Sequence, residues 1–200
     1  MSNPIDRAHF QELSRQDPAD VCRRTACRYD AAKNFYTITV WDDDYAIYPH
    51  DFRIERVSNH FQNPHPYLYL FIIHYLLQWH AIDPTGEWIS EKDIPGGATF
   101  FRGPHAIPTQ RIAERYGNDL EEFSSRCEQL HGVQLDLADR SYRFAITAHI
   151  DVAVLYWRGD EEFPPEAKIL YDKVITKQLA ADVIFALAVE ICARLSGRHT

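Results

Sequence analysis

Hydrophobic and polar residues alternate with a period of two along the stretch from Ser141 to Trp157. The even-numbered positions are apolar from Tyr142 to Tyr156, whereas the odd-numbered ones begin polar and become apolar toward the end. Such alternation is typical of a β-strand that buries one face. Seventeen residues is long for one strand, so the pattern predicts a bend or break near residues 149–151.

Two shorter runs of aromatic and β-branched residues, NFYTITVW and YAIYP, flank the acidic triplet Asp42–Asp44. They predict a β-hairpin, and FRIERV predicts one more strand. Because aspartate readily bonds local backbone, we interpret the acids as turn formers. Calcium binding is the alternative, but the run lacks the spaced oxygen ligands and the glycine of an EF-hand loop.

Apolar runs bounded by proline or glycine predict the helices. YLYLFIIHYLL, which follows Pro64 and Pro66, predicts a buried helix extending to about His80, and LAADVIFALAVEICARLSG predicts a helix that ends at Gly197. Shorter helices are predicted at residues 19–29, 109–116 and 119–131. Another is predicted to begin at Pro165, because EAKILYD supplies good helix formers.

Strands and helices are mixed in this chain without regular βαβ alternation. The pattern therefore predicts an α+β fold, with an antiparallel or mixed sheet packed against several helices. The chain has 200 residues, and no repeat, low-complexity run or linker interrupts it. We therefore expect residues 1–200 to form a single globular domain.

Composition restricts the class of partner. The net charge is −8 and no long basic stripe is present, so we expect no nucleic-acid partner. The N-terminus lacks a signal-peptide core, and the most apolar segment, Tyr67–Leu77, covers eleven residues, too few to cross a bilayer. We therefore expect a soluble, cytoplasmic protein with no membrane partner.

Four cysteines are spread along the chain without a disulfide-scaffold pattern, which favours a reducing compartment. Cys22 and Cys27 lie five positions apart. On one regular helix the two side chains would be separated by about 140°, so we do not predict that they share a metal.

The loop GGATFFRGPHAIP is the first candidate for a binding site, because its glycines allow close approach of the backbone to a ligand. Phe101 offers a stacking surface, Arg102 an anion-binding fork and His105 a titratable group. An irregular surface loop anchored by its aromatic residues is the alternative. His74, embedded in apolar residues, is interpreted as a core imidazole or as a buried cofactor ligand.

The acidic stretch WRGDEEFPPEAKILYD is the second candidate. Its Asp160, Glu161 and Glu162 are interpreted either as helix-capping and solvated acids or as part of a site. In the second case they would join His105 as ligands of a divalent metal, and Trp157 would lie against a bound cofactor. This interpretation requires the loop near residue 100 and the acids near residue 160 to share one pocket.

The same stretch resembles the signature of a prokaryotic family known only as a domain of unknown function. The resemblance extends to YLL at Tyr75–Leu77 and IPGG at Ile94–Gly97, and covers residues 17–195. The family is associated with anaerobic bacteria and archaea, and some members carry an iron–sulfur domain of the corrinoid-protein type. The resemblance implies a context of one-carbon or tetrapyrrole metabolism but transfers no catalytic residue. This chain has no cysteine quartet for such a cluster.

Three hypotheses for the function remain open. The first is an accessory protein that binds a small molecule or a cofactor such as a corrinoid or another tetrapyrrole. The second is a metal-dependent hydrolase or lyase that combines His105 or His149 with the acids at 160–162. The third is a scaffold subunit with a protein partner in one-carbon or redox metabolism.

Overall fold

The molecule has an α+β architecture, as the sequence predicts. The computed structural model describes residues 5–58 and 66–197, and within them helices pack against two antiparallel sheets. The α-helices are α1 (Arg7–Arg15), α2 (Pro18–Thr25), α3 (Pro66–Gln78), α4 (Gly97–Phe100), α5 (Gln110–Tyr116), α6 (Leu120–Gln129) and α7 (Ala181–Ser196). The 3₁₀-helices are Glu91–Asp93, Gly103–His105 and Lys173–Lys177.

The strands divide between the sheets in chain order. They are β1 (Arg28–Asp30), β2 (Phe35–Val40), β3 (Asp43–Tyr48), β4 (Arg53–Arg56), β5 (Trp88–Ile89), β6 (Val133–Leu135), β7 (Arg140–Thr147), β8 (Ile150–Trp157) and β9 (Glu166–Asp172). The first sheet has the order β1-β2-β3-β4 and the second the order β5-β9-β8-β7-β6. The backbone N–H of Trp41 donates to the carbonyl of Ile146 at 2.8 Å and links the two sheets.

The predicted hairpin around the acidic triplet is confirmed as β2 and β3, and the strand at FRIERV as β4. Trp41 and Asp42 both have positive φ, 47° and 64°, as a two-residue hairpin turn requires. Asp43 is an exception to the interpretation of these acids as turn formers, because it lies in β3. It is fully buried, and its Oδ2 lies 3.0 Å from Nη2 of Arg194 on α7.

The long period-two run is confirmed as strand and is broken where predicted. It forms β7 and β8, which pair with each other, with an irregularity in register between Ala145 and Thr147. The break is therefore a hairpin turn at residues 148–149 rather than a bend within one strand.

The predicted helix after Pro165 is wrong, because EAKILYD forms β9. This strand pairs antiparallel with β8, from Trp157 opposite Glu166 to Val152 opposite Tyr171. Ala167, Ile169 and Tyr171 alternate into the core, so the burial pattern has a period of two. Pairing with β8 overrides the helix propensity of these residues.

The main helical core is formed by α3 and α7. The predicted apolar helix is confirmed from Pro66 to Gln78, while Pro64 lies outside the described residues. Helix α7 ends at Gly197, whose φ of 66° is the left-handed conformation expected of a helix-terminating glycine. None of the helices in residues 5–58 and 66–197 is long and apolar enough to span a membrane.

The N-terminal prediction needs two corrections. Helix α1 was not predicted, although Asp6 caps it by accepting a hydrogen bond from Ala8 N at 2.9 Å. Helix α2 ends at Thr25 rather than Tyr29, because Ala26 adopts a left-handed conformation with φ 56°. The chain then enters β1 at Arg28.

Candidate functional site

A cleft of about 230 Å³ follows one edge of β9. Its walls come from two parts of the chain, the segment from residue 91 to residue 109 and the first half of β9. The lining residues are Glu91, Lys92, Phe101, Ala106, Ile107, Thr109, Glu166, Ala167, Lys168 and Ile169. Four consecutive residues of a strand line the cleft although successive side chains point to opposite faces. The cleft therefore lies along the backbone edge of β9.

The edge is open because β5 is short. Only Trp88 and Ile89 pair with β9, opposite Asp172 and Tyr171. After them Ser90 begins a 3₁₀-helix, and its backbone N–H and hydroxyl both donate to Asp93 Oδ2, at 2.9 and 2.7 Å. The chain thus turns away from the sheet before it can cover the rest of β9.

The open edge presents backbone hydrogen-bonding groups to the cleft. The backbone N–H of Lys173, directly after β9, donates to the carbonyl of Glu87, directly before β5, at 2.9 Å. The backbone groups of Lys173 therefore point toward β5. In an antiparallel strand every second residue directs both its N–H and its C=O to the same side. Ala167 and Ile169 therefore direct their backbone groups to the edge, and no described strand pairs with them there.

A second cavity of about 310 Å³ adjoins the first at Phe101. It shares Glu91, Lys92 and Phe101 with the cleft and is completed by Gly97, Ala98 and Arg102. The predicted loop is partly helical here. Gly96, with φ 75°, precedes the short helix α4, and a Cβ on Gly97 would lie 2.0 Å from the carbonyl oxygen of Glu91. Only glycine at 97 allows the helix to pack this closely on the 91–93 turn.

Three cations lie around these cavities without a countercharge in contact. Lys92 and Lys168 line the cleft and Arg102 lines the second cavity. Within residues 5–58 and 66–197, none of the three side chains makes a hydrogen bond or an ion pair. Hydrogen bonds from Ser90 hold the pKa of Asp93 below its ordinary value, and both lysines contribute to this lowering. Because the carboxylates of Glu91 and Glu166 also line the cleft, an anion would be held by direct contact with these three cations and not by an excess of positive charge.

The predicted residues of the 96–105 loop are only partly brought together. Phe101 is half-buried between the cavities and Arg102 is exposed beside it. His105 lines neither cavity. Its ring stacks on Phe100 with centroids 4.7 Å apart and meets the edge of Phe185 on α7 at 5.6 Å. His105 thus anchors the loop on α7.

The acidic residues 160–162 do not line either cavity. They lie in the connection between β8 and β9, where Oδ1 of Asp160 accepts hydrogen bonds from the N–H groups of Glu162 and Phe163, both at 2.8 Å. These bonds hold the pKa of Asp160 below its ordinary value. The carboxylate thus closes a local turn. It does not cap a helix, because the segment that follows is the strand β9.

The part of the chain that the structure describes shows no metal-binding cluster around the residues predicted as metal ligands, His105 and the acids at 160–162. Across the described ranges 5–58 and 66–197, no cluster of three or more His, Cys, Asp or Glu side chains could hold a metal ion. His149, the alternative ligand, lies in the β7–β8 turn with its ring parallel to that of Trp79, the centroids 6.4 Å apart. His105 and Asp160 each have the local structural roles given above.

His74 and Trp157 lie outside the cleft as well. His74 is half-buried on α3, with its ring 4.5 Å from that of His9 and its Nδ1 3.2 Å from Nε2 of Gln78. Burial and the neighbouring His9 lower the pKa of His74, which favours a neutral imidazole. Trp157 ends β8 opposite Glu166 and is half-buried.

Sequence reasoning missed Lys92, Lys168 and the backbone edge of β9. At 167–171 only Lys168 is polar, so the segment carries no clear period-two signal of a strand. No local signal marks Lys92, because its role depends on β5 leaving the sheet two residues earlier.

Comparison with known protein families gives a match over most of the chain. The model of a domain of unknown function, DUF3786, matches residues 17–194. No curated protein and no solved structure matches the chain.

Proposed function

We propose that this chain, which belongs to the family of the domain of unknown function DUF3786, is an accessory protein that binds a small anionic ligand in the cleft at the open edge of β9. The observation that carries the proposal is the set of unpaired cations, Lys92, Lys168 and Arg102, beside an unpaired strand edge. Carboxylate or amide groups of a ligand would bond these cations and the backbone of Ala167 and Ile169.

Phe101 supplies the apolar part of the proposed site. It lies where the two cavities meet, so a flat or apolar portion of the ligand would pack against its ring while the charged portion reaches the lysines. Neither set of lining residues contains histidine, serine or cysteine, so a hydrolase or lyase at this position would have to use Glu91, Glu166 or a lysine as its acid or base. We favour binding because the three cations without an ion-pair partner suit direct contact with an anionic ligand.

The size of the cavities restricts how a tetrapyrrole could bind. Pockets that enclose drug-sized ligands measure about 300–1,000 Å³, and these cavities measure about 230 and 310 Å³. A corrinoid or haem would therefore insert one edge with its carboxylate or amide arms, leaving most of the ring outside. The corrinoid-linked context implied by the sequence resemblance makes this class of ligand the first to test.

Titration of the purified protein with haem, cobalamin and succinate tests the proposal. Absorption spectra follow the first two and isothermal calorimetry follows all three. We expect saturable binding of at least one compound and a roughly tenfold or larger loss of affinity in Lys168→Glu, equivalent to about 1.4 kcal/mol. Lys177→Glu, an identical charge change on an exposed residue outside both cavities, is the matched control.

Two results would remove the proposal. One is the lack of saturable binding of all three compounds by the wild-type protein. The other is equal weakening by Lys168→Glu and Lys177→Glu, which would indicate attraction to the whole protein rather than to the cleft. Phe101→Ala separates the apolar contribution, since it should weaken haem and cobalamin more than succinate.

A further inference from the structure

Two of the four cysteines lie in contact at the junction of α2 and β1. Cys22 is on α2 and Cys27 is two residues beyond its end, and their Sγ atoms are 3.6 Å apart. Ala26 has a left-handed backbone conformation, φ 56°, which reverses the chain and brings the thiol of Cys27 into contact with that of Cys22. The sequence-based expectation that these side chains point apart is therefore wrong, because it assumed one continuous helix.

The two thiols differ in exposure. Cys22 is partly exposed, whereas Cys27 is 6% exposed and burial raises the pKa of its thiol to about 12. A reagent from solvent therefore meets Cys22 first, with the protonated Cys27 directly behind it. Cys127 and Cys192 are fully buried, and burial raises the pKa of both.

We propose that Cys22 and Cys27 form a reversible dithiol–disulfide couple that reacts with peroxides, with Cys22 the attacking and Cys27 the resolving thiol. The sulfur of Cys22 takes one oxygen from hydrogen peroxide, giving a sulfenic acid and releasing water. The thiol of Cys27 then displaces the hydroxyl as a second water, and the disulfide forms. Two thiols are oxidised by two electrons and one peroxide is reduced to two waters.

The geometry favours ring closure over further oxidation. A disulfide requires an S–S distance of about 2.05 Å, so the sulfurs must approach by about 1.5 Å from their present contact. Rotation of the partly exposed Cys22 side chain can supply part of this movement. Cytosolic disulfides that form between neighbouring thiols in this way are commonly transient and serve catalysis or redox sensing.

Peptide mapping of the full-length protein tests the couple directly. The reduced protein is treated with hydrogen peroxide, alkylated under denaturing conditions and digested with trypsin, which cleaves after Arg23 and Arg24. The four cysteines then fall on the separate fragments 16–23, 25–28, 127–140 and 178–194. We expect fragments 16–23 and 25–28 to be joined by a bond that dithiothreitol reverses, while the other two fragments stay fully alkylated.

Single variants test the order of attack. Cys27→Ser should leave Cys22 to accumulate sulfenic and sulfinic acid, whereas Cys22→Ser should leave Cys27 reduced at the same peroxide dose. Cys127→Ala, which removes a buried thiol elsewhere, should still form the joined fragment. If wild-type protein keeps all four thiols, or oxidises Cys22 without joining it to Cys27, the two sulfurs are only in packing contact and the proposal is wrong.

Discussion

Asp172, the last residue of the stretch WRGDEEFPPEAKILYD, should contribute more to stability than the acids at 160–162. Its Oδ1 accepts hydrogen bonds from Thr85 N, Thr85 Oγ1 and Val174 N at 3.0, 2.9 and 2.8 Å. Its Oδ2 accepts from Gly86 N at 2.7 Å. One carboxylate, 8% exposed, thus holds both the irregular segment before β5 and the start of the 3₁₀-helix after β9.

The loss of stability in Asp172→Ala depends on whether each of these donors finds another acceptor. The Val174 N–H is buried and would be left unpaired, which costs about 1–3 kcal/mol. Thr85 and Gly86 are exposed, so water can replace the carboxylate as their hydrogen-bond acceptor. The lost bonds of each residue should lower the free energy of unfolding by about 0.5 kcal/mol. The free energy of unfolding should fall by about 2–4 kcal/mol, which lowers Tm by roughly 5–15 °C in a chain of this length.

The loss should also depend on pH in a definite direction. Burial raises the pKa of Asp172, but the hydrogen bonds from Val174, Thr85 and Gly86 outweigh it and hold the pKa below its ordinary value of 3.8. Because the folded-state pKa is lowered, the ionised carboxylate stabilises the protein fully above about pH 4. That stabilisation is lost as the pH falls through the folded-state value, so wild type and Asp172→Ala should converge in strongly acidic solution.

Urea denaturation followed by tryptophan fluorescence, at several pH values between about 7 and 3, measures both effects. Asp136→Ala removes an exposed carboxylate and is the matched control, expected to change stability by less than about 0.5 kcal/mol. A difference below about 0.5 kcal/mol for Asp172→Ala, or one that does not shrink on acidification, would contradict the account of Asp172 given above.

Three further substitutions test other parts of the fold by the same denaturation assay. Arg194→Met should lower the free energy of unfolding by about 3–5 kcal/mol, because it leaves Asp43 and Glu190 buried as charges without this partner. Gly97→Ala should lower it by about 1–3 kcal/mol, because the added Cβ overlaps the backbone of the 91–93 turn. Ala26→Gly should raise the free energy of unfolding by about 0.5–1 kcal/mol, because glycine adopts the left-handed conformation at this position without strain. Unchanged stability of this variant would show that Ala26 is not strained.

With the exception of helix α1, the main elements that depend on local pattern were predicted from the sequence, and elements that depend on distant pairing were not. The period-two run at 141–157 and the apolar run of α3 carry their own signals. The helix formers of EAKILYD give no such signal, because only the pairing of β9 with β8 makes them a strand. The ion pair of Asp43 with Arg194 joins residues 151 positions apart, so an acidic turn could not be recognised as part of the core.

The cleft could not be predicted from the sequence for the same reason. Phe101 and Arg102 were identified from their residue types, but their neighbours Lys92 and Lys168 come from segments about 75 positions apart in the chain. These segments meet because β5 pairs with the end of β9 and then leaves the sheet. A contact of this kind is set by topology, which no local pattern of residue types encodes.

The stretch WRGDEEFPPEAKILYD encodes a connection between strands rather than a set of reactive groups. Gly159 has no room for a side chain, since a Cβ would lie 2.8 Å from Pro165, and its backbone N–H donates to Asn118 Oδ1 at 2.7 Å. Asp160 closes the turn that follows, and Asp172 fixes the end of β9. Residues that are required for folding in this way would recur in any chain with this β8–β9 connection, whatever it binds. This stretch therefore gives no information about a ligand. The ligand proposed above would bind where charged side chains of the described residues make no hydrogen bond or ion pair, at Lys92, Arg102 and Lys168.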